Sequence, residues 1–173
     1  MSNSSLLDGK RVLAVDDEQD ILTTLEELLP MCKIEKAASF EEAEKLLTTQ
    51  DFDIVILDIM GVDGYGLLDI ATKKNITAVM LTAYAFTPKD MVKSLKGGAA
   101  SYIPKEKISE IAAFLTDILK AEKEGIHPWE PWEKRLPSSF FEKRFGAAWK
   151  DVDKDFWKTF RDSIRARKAQ SDK

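Results

Sequence analysis

Short apolar runs that end in carboxylates recur along this chain. Residues 11–15 (RVLAV) stop at Asp16-Asp17-Glu18, and residues 54–57 (IVIL) stop at Asp58. Runs this short, rich in β-branched residues and free of charge after Arg11, predict strands buried on both faces, as in a parallel sheet. Such a strand cannot hold a carboxylate in its middle, so the acids belong at C-terminal strand ends. Residues 77–81 (TAVML) repeat the pattern before Thr82-Ala83, and residues 101–103 before Pro104-Lys105. Residues 33–37 (KIEKA) are more polar and predict a strand near a sheet edge.

Between these runs the spacing turns helical. Ile21, Leu22, Leu25, Leu28 and Leu29 form one stripe, which Pro30 stops. Ser39 with Glu42 fits a capping box for a second helix that uses Ala43, Leu46 and Leu47. A third is predicted over 65–74. Thr87-Pro88-Lys89-Asp90 opens a fourth, with Thr87 as N-cap and Pro88 at the first helical position, and Gly97-Gly98 closes it. A long amphipathic helix spans 107–124 and ends at Gly125. Five strands alternating with five helices predict an α/β fold, a doubly wound parallel sheet with right-handed crossovers.

Composition changes near Gly125. Residues 1–125 carry 14 Lys/Arg against 22 Asp/Glu, whereas residues 126–173 carry 12 against 8 and hold all four tryptophans. The predicted division is therefore 1–125 and 126–173. No apolar run approaches the roughly 20 residues that span a bilayer. The stretch MSNSSLLDGK lacks the basic and apolar regions of a signal peptide, and Cys32 is the only cysteine. A cytoplasmic protein is expected.

The candidate chemistry sits at the C-terminal end of each strand. From its own stretch alone, Asp58 is as good a strand terminator or helix cap as a reactive group. Parallel strands, however, bring all their C-terminal ends to one edge, where ligands of open α/β sheets bind. That edge would collect Asp16, Asp17, Asp58, Thr82 and Lys105. Three carboxylates in one small site repel one another without a cation. An all-oxygen set of this kind suits Mg²⁺, and a carboxylate beside it can act as a nucleophile toward phosphorus. Lys105 and Thr82 can meet phosphoryl oxygens.

The stretches VLAVDDEQDIL, VILDIMGVDGYGLL, VMLTAYA and SYIPKEKI resemble the motifs of the response regulator receiver domain of two-component signalling, over about residues 10–124. The resemblance implies the flavodoxin-like strand order 2-1-3-4-5. It implies Asp58 as phosphoacceptor; Asp16, Asp17, Asp58 and the Met60 backbone carbonyl around Mg²⁺; Thr82 and Lys105 on the phosphoryl group; and Tyr102 as the aromatic switch. It also implies a histidine kinase or phosphotransfer protein as partner, and a self-phosphorylating, self-dephosphorylating acceptor rather than a turnover enzyme. Two departures stand out. The segment IMGV after Asp58 is about two residues shorter than usual and lacks a proline, and Pro104 precedes Lys105 where the family has a proline after it. The short loop motivates an alternative, a pseudo-receiver that binds a protein constitutively.

Other polar residues read as structural: Asp63 as turn chemistry, Glu18 and Asp20 as charge at the first helix's N-terminus (with a water-mediated reach to the metal open to Glu18), His127 as part of a linker. In the tail, HPWEPWEKRLP is followed by helical candidates over 138–150 and 153–168. Three readings remain for it: a helical extension packing its aromatics on the receiver or on a second subunit as a homodimer, a docking segment for a downstream protein partner, or a DNA-binding element. A net +4 interrupted by eight acids gives the last little support.

Overall fold

The computed structural model describes residues 6–83, 87–136, 142–143, 145–146 and 153–171, with side chains described up to 166. Its elements run β1 (Arg11–Val15), α1 (Gln19–Leu28), β2 (Lys33–Ala37), α2 (Phe40–Thr49), β3 (Ile54–Asp58), α3 (Gly64–Lys73), β4 (Thr77–Thr82), α4 (Pro88–Lys96), β5 (Ser101–Pro104), a 3-10 helix (Lys105–Glu110), α5 (Ile111–Glu124), α6 (Trp129–Arg135) and α7 (Lys154–Ser171). The five strands form one parallel sheet in the order β2-β1-β3-β4-β5, which is the doubly wound arrangement expected. The polar run 33–37 is an edge strand, as its composition predicts, and β1 and β3 are buried along nearly their whole length.

The helices cover both faces of the sheet, with α1 packed beside α5 and α2 beside α3. Local chemistry explains several boundaries. Thr87 and Asp90 form a reciprocal capping box at the start of α4. The Ser39 hydroxyl accepts the Glu42 N–H at 3.2 Å, but Glu42 reaches back to the N–H of Ala38, one residue before the cap predicted for it. Removing the Ser39 hydroxyl (Ser39→Ala) orphans a helix N–H and should cost about 1 kcal/mol in urea unfolding. Gly125 ends α5 at φ +76°, a left-handed position that suits glycine.

Two expectations change. The helix predicted from 107 begins as a 3-10 turn, because Lys105–Glu110 buries none of its residues and the apolar stripe that supports an α-helix starts only at Ile111. The proline-punctuated stretch 127–137 contains a helix, α6, whose Trp129 and Trp132 are buried. Pro128 and Pro131 fall just before and within its first turn, where no N–H is needed. The helix predicted over 138–150 lies almost entirely outside the described residues, and the one predicted over 153–168 is α7. Among the described residues no helix is long and apolar enough to cross a membrane.

The tail helices lie on the α4, β5 and α5 side. Trp132 donates its indole N–H to the Tyr102 carbonyl of β5 at 2.8 Å. Arg135 pairs with Asp117 of α5 at 2.8 Å and lies over the Phe114 ring. Lys96 of α4 pairs with Asp153 at 3.1 Å. Trp129 stacks on Trp132, and Trp157 and Phe160 close around Trp129, so α6 and α7 share one aromatic cluster. The described tail helices thus pack their aromatics on the chain's own α4, β5 and α5 surface. His127 is structural too: its Nδ1 accepts the Trp129 N–H and its ring meets the edge of Phe160.

Candidate functional site

Strand register builds the site. Val15 pairs with Leu57 and Asp58 with Leu81, so Asp16, Asp58 and Thr82 arrive together at one edge of the sheet. Thr82 in turn pairs with Pro104, which places Lys105 one residue beyond. Asp16 and Asp58 are buried at 1% and 4% exposure, too deep for carboxylates without partners.

The partner is Lys105. Its ammonium lies 2.9 Å from Asp16 Oδ2, 3.1 Å from Glu18 Oε1 and 3.3 Å from Asp58 Oδ1. Burial alone would lower the Lys105 pKa, but hydrogen bonds to Asp16 and Glu18 and the charges of Asp16 and Asp58 raise it well above the ordinary lysine range. For Asp16 burial dominates and raises the carboxyl pKa, against the Glu18 N–H and Lys105, which lower it. The departure from the family around Lys105 therefore leaves that side chain held by three carboxylates.

The remaining Asp58 oxygen, Oδ2, accepts the N–H of Gly61 at 3.1 Å. Because a trans peptide turns its N–H and C=O to opposite sides, that bond directs the Met60 carbonyl away from Oδ2. The Met60 side chain itself is in solvent, 81% exposed. A Cβ built on Gly61 would collide with the Asp17 carboxylate, and one on Gly64 with the Asp58 carbonyl oxygen. The short loop thus closes by letting two glycine backbones approach the acids directly. Asp63 caps α3, accepting the Gly66 N–H from a left-handed backbone position, which is turn chemistry as predicted.

Asp16, Asp17 and Glu18 place one carboxylate oxygen each within 4.8 Å of one another. Asp58 is tied to that group through Lys105. An acidic pocket that already gathers an ammonium has the donor chemistry for a hard divalent cation. Thr82 is buried, with its hydroxyl 3.4 Å from the Ala83 carbonyl; residues 84–86 lie outside the described residues. Tyr102 is fully buried, and burial, against a smaller opposing effect of Thr82, pushes its phenol pKa far up. All the predicted side chains therefore lie at this edge or, for Tyr102, behind it.

Sequence reasoning missed three contributors. Glu18 holds Lys105, where helix-end electrostatics or a water-mediated reach to the metal was expected. Gly61 admits Asp17, where a turn was expected. Tyr65 donates from its hydroxyl to Asp90 Oδ1 at 3.0 Å, joining the start of α3 to the start of α4. The residue types hinted at the first two, but no spacing rule connects Glu18 with a lysine 87 positions away.

Comparison with known proteins bears on the family of this fold. A family profile described as the response regulator receiver domain matches residues 12–116. Two-component response regulator ARR10 of Arabidopsis thaliana is 31% identical over 123 residues, which is 66% of this chain and 22% of that protein. The chain thus spans about a fifth of the length of this relative. Among solved structures, a CheY-like response regulator receiver domain protein from Methanospirillum hungatei JF-1 is 30% identical with a TM-score of 0.57, covering 66% of this chain and 99% of that one. Response regulator DrrB of Thermotoga maritima, an OmpR/PhoB homolog, is 25% identical with a TM-score of 0.59, covering 68% and 56%. Both tail helices fall beyond the profile match.

Proposed function

The chain belongs to the response regulator receiver family, and we propose that it is a phosphorylation-dependent switch whose acceptor is Asp58. One observation carries this reading: a carboxylate buried at a strand end, with Lys105 on one oxygen and the Gly61 N–H on the other. Those contacts aim the carboxylate and place donors where charge collects on a transferring phosphoryl group. The donor is a phosphohistidine of a histidine kinase or phosphotransfer protein. An Asp58 oxygen forms the new bond to phosphorus as the phosphorus–nitrogen bond to histidine breaks, and water later cleaves the acyl phosphate. Lys105 and the Thr82 hydroxyl meet the phosphoryl oxygens.

Asp16 and Asp17, with Asp58, are the residues that would hold Mg²⁺, which when bound supplies positive charge against those oxygens. The Met60 backbone carbonyl completes that set, and the Glu18 carboxylate adjoins it within 4.8 Å of those of Asp16 and Asp17. The chain is on this reading an acceptor, not a turnover enzyme, and works in the cytoplasm. Its output passes through the α4–β5–α5 side and the tail to a protein partner. DNA is the weaker reading of the tail, because Arg135 and Arg161 already pair with Asp117 and Glu133.

The test is intact mass after incubation with a small acyl-phosphate donor, with and without Mg²⁺. A Mg²⁺-dependent gain of one phosphoryl group is expected. No gain at any Mg²⁺ concentration, with donor or phosphorylated kinase, would favour the pseudo-receiver reading that the short loop motivates. Gly61→Ala pushes a methyl into Asp17, so the Mg²⁺ concentration for half-maximal labelling should rise about tenfold. An unchanged Mg²⁺ titration would remove Asp17 from the metal set.

A further inference from the structure

The segment that carries Lys105 is held at its first residue by three carboxylates but buries no side chain fully. The 3-10 helix Lys105–Glu110 buries none of its six residues, and no side chain caps its N-terminus. Besides those contacts, α6 grips the chain on both sides of it. On one side Trp132, itself 3% exposed, donates to the carbonyl of Tyr102, three residues before Lys105. On the other, Arg135 reaches Glu110, the last residue of the segment, at 3.9 Å, and bonds Asp117 one turn and a half into α5 at 2.8 Å. The grip is itself braced from α7, through Trp157 and Phe160 around Trp129 and through Arg161 on Glu133. All of α6 lies beyond the receiver profile match.

We infer that Trp132 and Arg135 are positioning residues for Lys105: α6 clamps both ends of the Lys105 segment, so docking of the tail and binding of a phosphoryl group at Asp58 favour each other. The inference rests on Asp58 being the acceptor. Its physical basis is preorganisation. With the clamp closed, Lys105 already stands 3.3 Å from Asp58. With it open, a segment without buried residues must be ordered again before the ammonium can serve. Coupling is reciprocal, so a filled site must hold the tail by the same factor that the docked tail strengthens the site. Phosphorylation on this account tightens the tail rather than releasing it.

The test uses the full chain with Mg²⁺ and beryllofluoride, a phosphoryl mimic that binds a carboxylate without hydrolysing. Filling is read by the fluorine NMR resonance of the bound species, which does not depend on the tail. The tail is read by acrylamide quenching of tryptophan emission, since every tryptophan lies in residues 126–173. Arg135→Gln should weaken beryllofluoride binding about fivefold, and Trp132→Phe combined with Arg135→Gln should weaken it further. Loading should protect the wild-type tryptophans from quencher and leave those of the double variant unchanged. Equal affinities for wild type and both variants, each folded by circular dichroism, would overturn the clamp, as would a tail that becomes more quenchable on loading. No bound fluorine resonance in the wild type would overturn the acceptor reading itself, and the clamp with it.

Discussion

Asp58→Asn abolishes the Mg²⁺-dependent mass gain while the protein stays folded. The substitution keeps the shape of the side chain but removes its negative charge and its nucleophilic oxygen, so no acyl phosphate can form. The fold tolerates it because Lys105 keeps Asp16 and Glu18 at 2.9 and 3.1 Å, and the remaining amide oxygen can still accept the Gly61 N–H. Relief of one negative charge in a pocket of buried acids should leave thermal stability unchanged or slightly raised. The full effect, from one phosphoryl group to none, is read by intact mass with the same donor. Labelling that persists in the variant would move the acceptor to another carboxylate of the pocket, Asp16 or Asp17 first. Chelation of Mg²⁺ should reproduce the loss in the wild type.

Trp132→Ala produces a large loss of stability. The indole is nearly fully buried between α5 and β5, stacks on Trp129 with ring centroids 4.1 Å apart, and bonds the Tyr102 carbonyl. Truncation removes that packing and leaves a cavity, for which about 3–5 kcal/mol is typical. In urea, far-ultraviolet circular dichroism and tryptophan emission should unfold together in the wild type, as expected when tail and sheet form one cooperative unit. In the variant the midpoint should fall by both probes. If emission changes at lower urea while the dichroism midpoint stays put, the tail is a separate unit and the sheet does not need it. Trp132→Phe, which keeps most of the packing and loses only the N–H, should fall between the two.

On the proposed reading, the output passes through a surface that the chain covers with its own helices. Lys96, Tyr102, Phe114 and Asp117 each contact or pair with a tail residue, and together they span α4, β5 and α5. A partner protein that reads this side therefore meets α6 and α7 together with the sheet edge. That view makes the tail part of the switch rather than an appendage to it.

Sequence by itself determined the sheet and the chemistry at its edge. Apolar runs such as 54–57 are strands because nothing in them tolerates water, and each ends at the polar residue that begins the sheet edge. Once the strands are parallel, their C-terminal residues must share an edge, so Asp16, Asp58, Thr82 and Lys105 converge whatever the loops do. Caps at Ser39 and Thr87 were legible because they act within one turn. Only the tertiary structure decided which acids hold Lys105, that Gly61 has to be small for Asp17 to fit, and that Trp132 ends on the Tyr102 carbonyl. Those contacts depend on where side chains from distant segments point after packing, over separations of 87 and 30 residues for Glu18–Lys105 and Trp132–Tyr102. Hydrophobic periodicity reports which face of an element is buried; it carries no record of what that face is buried against.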